Sequence, residues 1–426
     1  MKQTIGKVVQ AAAIKAMTTL ERVQTGVAFN PLQTGFNDDP YRHYKAIREK
    51  DPLHHSRLFG GSLVTRYRDI ETVLRDSRFK SDDRKRADFQ KNVERMQKAG
   101  IIEDPHEAGM GGSMLRMDPP DHTRLRSLVS RAFTPRTVES LRPRIEDIVE
   151  EHLDRVAGSG RMEVIGDLAY PLPVIVIAEM LGIPPEDRAQ FKHWSDEAIR
   201  TVGFSSDDDI RRSMQAQREL KTYLEPVLAQ RRREPRADLI SALAAAEEQG
   251  DQLTTDEVFS TIILLLVAGN ETTTNLIGNG LVALMAHPRQ MRLLQDNPSM
   301  ASAAVEEILR YDSPVQFTSR HPDEDIEYEG HVFKAGKEVA LILASGNRDP
   351  DQFEEPDRLD IGRIDTHHLS FSHGIHYCLG APLARLEGAI ALSALVQRFP
   401  DMHLDGRAVR GDNLLLRGFA RLPIAF

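Results

Sequence analysis

The sequence predicts a mainly α fold with a minor β part, and three observations carry the prediction. Apolar residues recur at three- and four-residue spacing along much of the 426-residue chain, the mark of helices with one buried face. One such stretch, Thr254 to Met285, is much longer than its neighbours and opens on Thr254-Thr255-Asp256-Glu257, a capping box with glutamate at the third position after the cap. Strand-like runs are short and interrupt the helical pattern rather than alternating regularly with it.

Taken in order, residues 1–25 carry a helical pattern and read as an N-terminal extension, and residues 26–426 read as a single domain without a linker. Ser62 to Thr65 is the first strand-like run. Residues 78–113 are polar and punctuated by methionine and glycine, which predicts a mobile loop region. Helical periodicity then covers Val138 to Val156, Pro185 to Thr201 and Ile210 to Arg233. The long helix ends at His287-Pro288, since proline cannot continue it, and Asn297 to Tyr311 forms the next helix. Ile326 to Phe333, Glu338 to Leu343 and the C-terminal Leu414 to Ile424 read as strands.

Composition narrows the chemistry. One cysteine, Cys378, excludes an intrachain disulfide framework, a four-cysteine zinc site and a four-cysteine iron-sulfur cluster within the chain. A formal net charge of −9 argues against a general nucleic-acid binder, whose footprint is basic. The longest strongly apolar run, Ile262 to Ala268, falls well short of the roughly 18 residues needed to span a bilayer, and no secretory apolar core follows Lys2 and Lys7. A soluble, cytoplasmic protein is expected, with neither nucleic acid nor membrane as partner.

A lone cysteine is usually a small buried hydrophobe. Here the setting argues otherwise, because Phe371, Gly374 and Gly380 fall seven and four residues before the thiol and two after it. With average residue usage that coincidence is on the order of one in several thousand. The segment after Cys378 reads as a helix start with Pro382 in its first turn, so the positive end of the helix dipole would face the sulfur. The two glycines let the backbone turn tightly and bring N–H groups near it. The string Phe-x-x-Gly-x-His-x-Cys-x-Gly resembles the haem-binding loop of the cytochrome P450 family, the haem-thiolate monooxygenases. That resemblance implies haem b as cofactor, Cys378 as the iron's axial ligand, Phe371 and Gly380 as its shield and turn, and a long central helix lying over the haem.

Further motifs follow in that family's order. An apolar helix broken by Gly269, Glu271 and three threonines violates local preference, because glycine and threonine weaken a helix interior; such violations are expected at functional sites. Ala268-Gly269-Asn270-Glu271-Thr272 is similar to the family's oxygen-activation motif. The similarity implies that Thr272 holds activated dioxygen with its ordered water and that Glu271 helps to relay protons. Glu307 and Arg310 share a helix face and match the family's Glu-x-x-Arg pair, which would bond a third arginine, Arg358 by preference or Arg363, to fix the Cys378 loop. For the haem propionates the resemblance implies His122, Arg126, Arg320 and His376; Arg126 and Arg320 suit bidentate carboxylate recognition. By the same analogy Leu264, Val267, Ala268, Val315, Phe317, Leu415 and Leu416 line a distal pocket for a hydrophobic substrate such as a steroid, terpenoid, fatty acid or macrolide.

No flavin or nicotinamide motif is evident, so electrons are expected from separate partners, a ferredoxin and ferredoxin reductase or their equivalent. Arg124, Arg131 and Arg136 offer a basic face for docking. The expected reaction is monooxygenation with dioxygen and two electrons, since peroxide-using relatives place Arg-Pro where this chain has Glu271-Thr272. Two other classes compete. A haem-based sensor or carrier would keep Cys378 and the propionate cations without needing Glu271 and Thr272 for turnover, and a haem-free cysteine hydrolase would need an ordered histidine and acid that the sequence does not supply.

Overall fold

The computed structural model describes residues 2–103, 113–199, 206–248 and 253–426. Its organising element is the helix Thr255–Ala286, hereafter the central helix. The predicted capping box forms: Thr254 Oγ1 accepts from the Glu257 N–H at 3.2 Å, and Glu257 Oε2 accepts from the Thr254 N–H at 2.8 Å. With both of these early donors satisfied, the helix starts where the sequence places it. Ile262, Leu266, Leu276, Ile277, Leu281 and Leu284 are buried in the main core. The helices Pro171–Leu181, Ala301–Tyr311 and Ala381–Arg398 pack around it. Close approach of the last, here the ligand helix, depends on Gly388, where a β-carbon would stand 2.8 Å from Leu276 Cδ2.

The β part is small. One five-stranded sheet runs in the spatial order Leu53–Ser56, Gly61–Val64, Val339–Leu341, Thr318–Pro322, Phe79–Lys80. Its single parallel pair registers Ser62 with Val339 and Val64 with Leu341. The expected strand Ile326 to Phe333 is a hairpin, Ile326–Tyr328 against His331–Phe333, turned by Glu329 and Gly330 at positive φ.

Several expected boundaries change. Val138 to Val156 is two helices, Pro135–Glu139 and Arg142–Ala157, because Pro143 restarts the chain in the first turn of the second. Pro185–Asp187 is a 3₁₀ turn leading into Arg188–Ala198, and Pro298–Met300 likewise precedes Ala301–Tyr311. Thr201 lies outside the described residues. The C-terminal run is not one strand: Leu416 makes an isolated bridge to Val315, and pairing resumes only at Phe419–Arg421 and Pro423–Ala425. The expected loop over 78–113, of which 104–112 lie outside the described residues, contains the helix Phe89–Lys98. Its apolar positions Phe89, Val93 and Met96 recur at helical spacing and pack with Ile101 and Ile102, a sparse stripe within a polar sequence.

The N-terminal extension is the helix Lys2–Thr25. It is fastened by Glu21, only 1% exposed, whose carboxylate accepts from the N–H groups of Phe29, Arg57 and Leu58 and from Ser56. Buried His54 sits between Glu21 and Asp51 at 3.3 and 2.8 Å. Burial opposes its charge, but the two carboxylates prevail and raise its pKa to about 9.

Candidate active site

Cys378 lies in the turn between the 3₁₀ segment Gly374–His376 and the ligand helix. Its N–H donates to the Phe371 carbonyl at 2.9 Å, closing the loop on itself. Gly374 has φ +71°, and a β-carbon there would stand 2.7 Å from the Leu74 carbonyl oxygen, so glycine is required on two counts. Burial raises the thiol pKa; hydrogen bonds from the N–H groups of Gly380 and Ala381 and the charges of Arg126 and Arg385 oppose it. Those are the groups that would stabilise a metal-bound thiolate. The half-buried Arg126 donates to the Tyr377 carbonyl at 2.6 Å. Arg385 bonds the Tyr377 hydroxyl at 3.1 Å and Glu306 at 2.6 Å, and its guanidinium lies 4.5 Å from the Phe371 ring centroid. The sequence reading missed Glu306 and Arg385 because their partners are 79 residues apart.

Beneath this loop Glu307 and Arg310 form a bidentate pair, both bonds 2.8 Å, with both side chains about fully buried. Arg310 also donates to the carbonyls of Asn347, Pro356 and Arg358. The third arginine is Arg363, whose Nε meets Glu307 Oε2 at 3.1 Å. This corrects the preference for Arg358. Its side chain turns outward to Glu355 and Asp360, and only its carbonyl joins the cluster.

On the opposite side, the central helix interrupts its apolar run at Ala268 and Gly269. Ala268 is exposed although Val267 and Asn270 on either side of this pair are buried, and a β-carbon at Gly269 would meet nothing within 4 Å. Thr272 Oγ1 donates to the Ala268 carbonyl at 2.8 Å. Glu271 has its pKa raised to about 7, first by burial and then by the charges of Asp196 and Asp412, against a side-chain hydrogen bond to Asn275.

The four proposed propionate groups also converge. The His122 and His376 rings lie 4.3 Å apart, and the Nε2 atoms of both are buried without a hydrogen-bond partner among the described residues. Burial, Arg320 and His122 push the His376 pKa down to about 3. Arg320 is 7% exposed. It donates only to the Ser319 carbonyl and the Thr318 hydroxyl in the described contacts, and burial followed by Arg116 lowers its pKa to about 10. A buried guanidinium and two buried imidazole nitrogens short of partners suit an anionic ligand edge, although the nearby Asp118 carboxylate offsets part of their positive potential. These residues therefore fit haem: propionates for Arg320, Arg126 and the two imidazole nitrogens, Cys378 for the iron, and open space at Ala268 and Gly269 for the distal face.

A cysteine presented at a helix start, a central helix whose apolar run is interrupted at Ala268 and Gly269, and a cluster of buried arginine and imidazole nitrogens short of partners among the described residues are the features of a haem-thiolate protein. The cytochrome P450 family model matches residues 191–409. The polyketide biosynthesis cytochrome P450 PksS of Bacillus subtilis is 42% identical over 93% of this chain and 98% of its own length. The cytochrome P450 monooxygenase PikC of Streptomyces venezuelae is 40% identical over 95% and 97%. The crystal structure of P450BioI with hexadec-9Z-enoic acid ligated acyl carrier protein superposes with a TM-score of 0.84 at 38% identity, over 92% of this chain and 100% of that one. The chain belongs to the cytochrome P450 family. It is a haem b monooxygenase acting on a hydrophobic small molecule with dioxygen and two externally supplied electrons.

The remaining predicted residues are placed unevenly. Leu264 and Val267 are buried on the central helix beside Ala268. Val315 bridges Leu416, and the Gln316 N–H bonds the Leu415 carbonyl at 2.9 Å, so these two segments meet. Phe317 instead packs with Leu414 against the Val27, Phe29 and Phe36 cluster. Arg124 is committed to an ion pair with Glu257, so it ties two helices together rather than contributing to an open basic face; Arg131 and Arg136 are exposed. No helix among the described residues is long and apolar enough to cross a membrane.

Proposed function

We propose that this P450 oxygenates an aliphatic substrate of the acyl or polyketide class, with Thr272 and Glu271 handling the protons and a ferredoxin and its reductase supplying the electrons. The observation that carries the reading is the Thr272 hydrogen bond to the Ala268 carbonyl beside the open position at Gly269. The substrate class rests on two relatives, one named for polyketide biosynthesis and one solved with an acyl chain. It also rests on the aliphatic side chains Leu264, Val267, Val315, Leu415 and Leu416. The haem supplies dioxygen reduction and O–O cleavage, so that one oxygen enters the substrate as hydroxyl and the other leaves as water, consuming two electrons and two protons.

The chain's own residues do the rest. Cys378, embedded among the N–H groups of Gly380 and Ala381, holds the iron. Arg320, His122, His376 and Arg126 hold the propionates. The Thr272 hydroxyl orients the proton acceptor, and Glu271 holds a proton at its carboxyl near neutral pH and exchanges it with solvent. The Glu307, Arg310 and Arg363 cluster keeps the thiolate loop in register. Residues 26–426 work as one cytoplasmic haem domain, with 1–25 as its N-terminal extension, and Arg131 and Arg136 belong to the face that meets the ferredoxin. Charge reversal at those two positions slows reduction and flattens its salt dependence; unchanged reduction kinetics would remove the docking assignment.

Carbon monoxide bound to the reduced protein gives a thiolate-type Soret band, and its absence would overturn the cofactor assignment. Thr272→Ala diverts reducing equivalents to peroxide; fully coupled turnover in that variant would refute the role of Thr272. Long acyl and polyketide compounds produce a spin-state shift on binding. A response confined to steroids or terpenoids would exclude the proposed class.

A further inference from the structure

The cover helix, Arg188–Ala198, meets the central helix at the oxygen-activation turn. Ser195, 3% exposed, donates to the Leu266 carbonyl at 3.3 Å and accepts from Asn270 Nδ2 at 2.7 Å; Asn270 is itself 2% exposed. Because the hydroxyl's one proton goes to Leu266, its lone pairs are left for Asn270. The two contacts bracket Ala268 and Gly269. The next residue along, Asp196, is gripped from two sides: the Tyr170 hydroxyl donates to Oδ1, and Lys192 Nζ donates to Oδ2 at 2.9 Å while standing 4.3 Å over the Tyr170 ring. Tyr170 follows Ala169, whose carbonyl accepts from Thr274 of the central helix at 3.1 Å.

The groups facing Glu271 come from several elements. Asp196 of the cover helix and Asp412 of the C-terminal loop act on it by charge, and Tyr170 feels its charge in return. Asp38 and Asp209 line a 580 Å³ cavity together with Glu271 and Asp412. Among the described residues Lys192 is the cation of this set, and it is paired with Asp196.

We propose that Ser195 and Asp196 are positioning residues for Glu271: Ser195 sets the register of the cover helix through Asn270, and Asp196 then presents its charge to the carboxyl, so that docking of this helix loads the proton donor. The inference rests on Glu271 being a proton relay. Its physical content is a like-charge effect, since a neighbouring carboxylate disfavours ionisation of the second. A seated cover helix leaves Glu271 protonated near neutral pH, and withdrawal of Asp196 returns the proton to solvent.

The test is an infrared titration of the Glu271 carbonyl stretch in the haem-loaded protein without turnover, the band being assigned by its loss in Glu271→Gln. Asp196→Asn lowers the titration midpoint by roughly half a unit to one unit, and Asp196→Glu restores it. Lys192→Met, at a half-exposed side chain, leaves Asp196 uncompensated and raises the midpoint. Ser195→Ala moves it in the same direction as Asp196→Asn. Midpoints that stay fixed in both Asp196→Asn and Lys192→Met would overturn the proposal. Coupling is measured separately in Glu271→Gln: full coupling there defeats the relay reading even where the midpoints shift as described.

Discussion

The two sides of the haem site are built on opposite plans. On the thiolate side the cluster around Glu307 is densely bonded: Arg310 alone donates to Glu307 and to three carbonyls, and Glu307 accepts from Arg310, Arg363 and the Asp360 N–H. On the distal side the chain leaves Ala268 uncovered and Gly269 facing open space, and Glu271, with a side-chain hydrogen bond to Asn275, has no ion pair among the described residues. A satisfied buried network gives a single rigid geometry, which suits a ligand whose position fixes the iron. The proton exchange proposed for Glu271 requires a group that is not locked in the same way.

Breaking the saturated side has the largest consequence. Glu307→Ala or Arg310→Ala leaves a buried charge without its partner and costs about 3–5 kcal/mol, read as a lower denaturant midpoint together with poor haem retention. Next comes Glu387, which is 2% exposed between the two sides. Burial raises its pKa to about 8, against a side-chain hydrogen bond with Thr273. The folded state therefore keeps this proton up to about pH 8, whereas the unfolded chain releases it near the ordinary glutamate value of 4.5. Between those limits the unfolded state binds fewer protons, so this group makes stability fall as pH rises. Glu387→Gln removes that slope, and its advantage over the wild type grows from pH 5 to 8 by about 2 kcal/mol or more; parallel stability curves would contradict the buried-proton assignment. Arg363→Ala costs about 1–3 kcal/mol by stripping a donor from Glu307. Arg358→Ala, on a 56% exposed side chain, changes stability by about 0.5 kcal/mol or less. If the two arginines behaved alike, the contrast drawn between them would fail.

The parts legible in the sequence are those set by local spacing. Cys378 with its glycines, the Thr254 capping box and the Glu307/Arg310 pair each span ten residues or fewer, so the chain brings them together whatever surrounds them. Arg363 was not distinguishable from Arg358 because the choice depends on the path of an irregular loop, in which Arg358 contributes its carbonyl and Arg363 its side chain. Ser195 and Asn270 are 75 residues apart, and Tyr170 and Asp196 are 26 apart; neither separation leaves a mark on periodicity. The helix Phe89–Lys98 was hidden for another reason: it buries only Val93 fully, so its apolar stripe is too thin to stand out from polar loop.

The ion pair between Arg124 and Glu257 joins the segment carrying His122 and Arg126 to the first turn of the central helix. Glu257 and Glu271 are 14 residues apart on that helix, roughly 21 Å of axial rise. The first turn of the central helix is thus tied to the segment that carries two of the proposed propionate residues, and the Ala268–Thr272 segment follows on the same continuous helix.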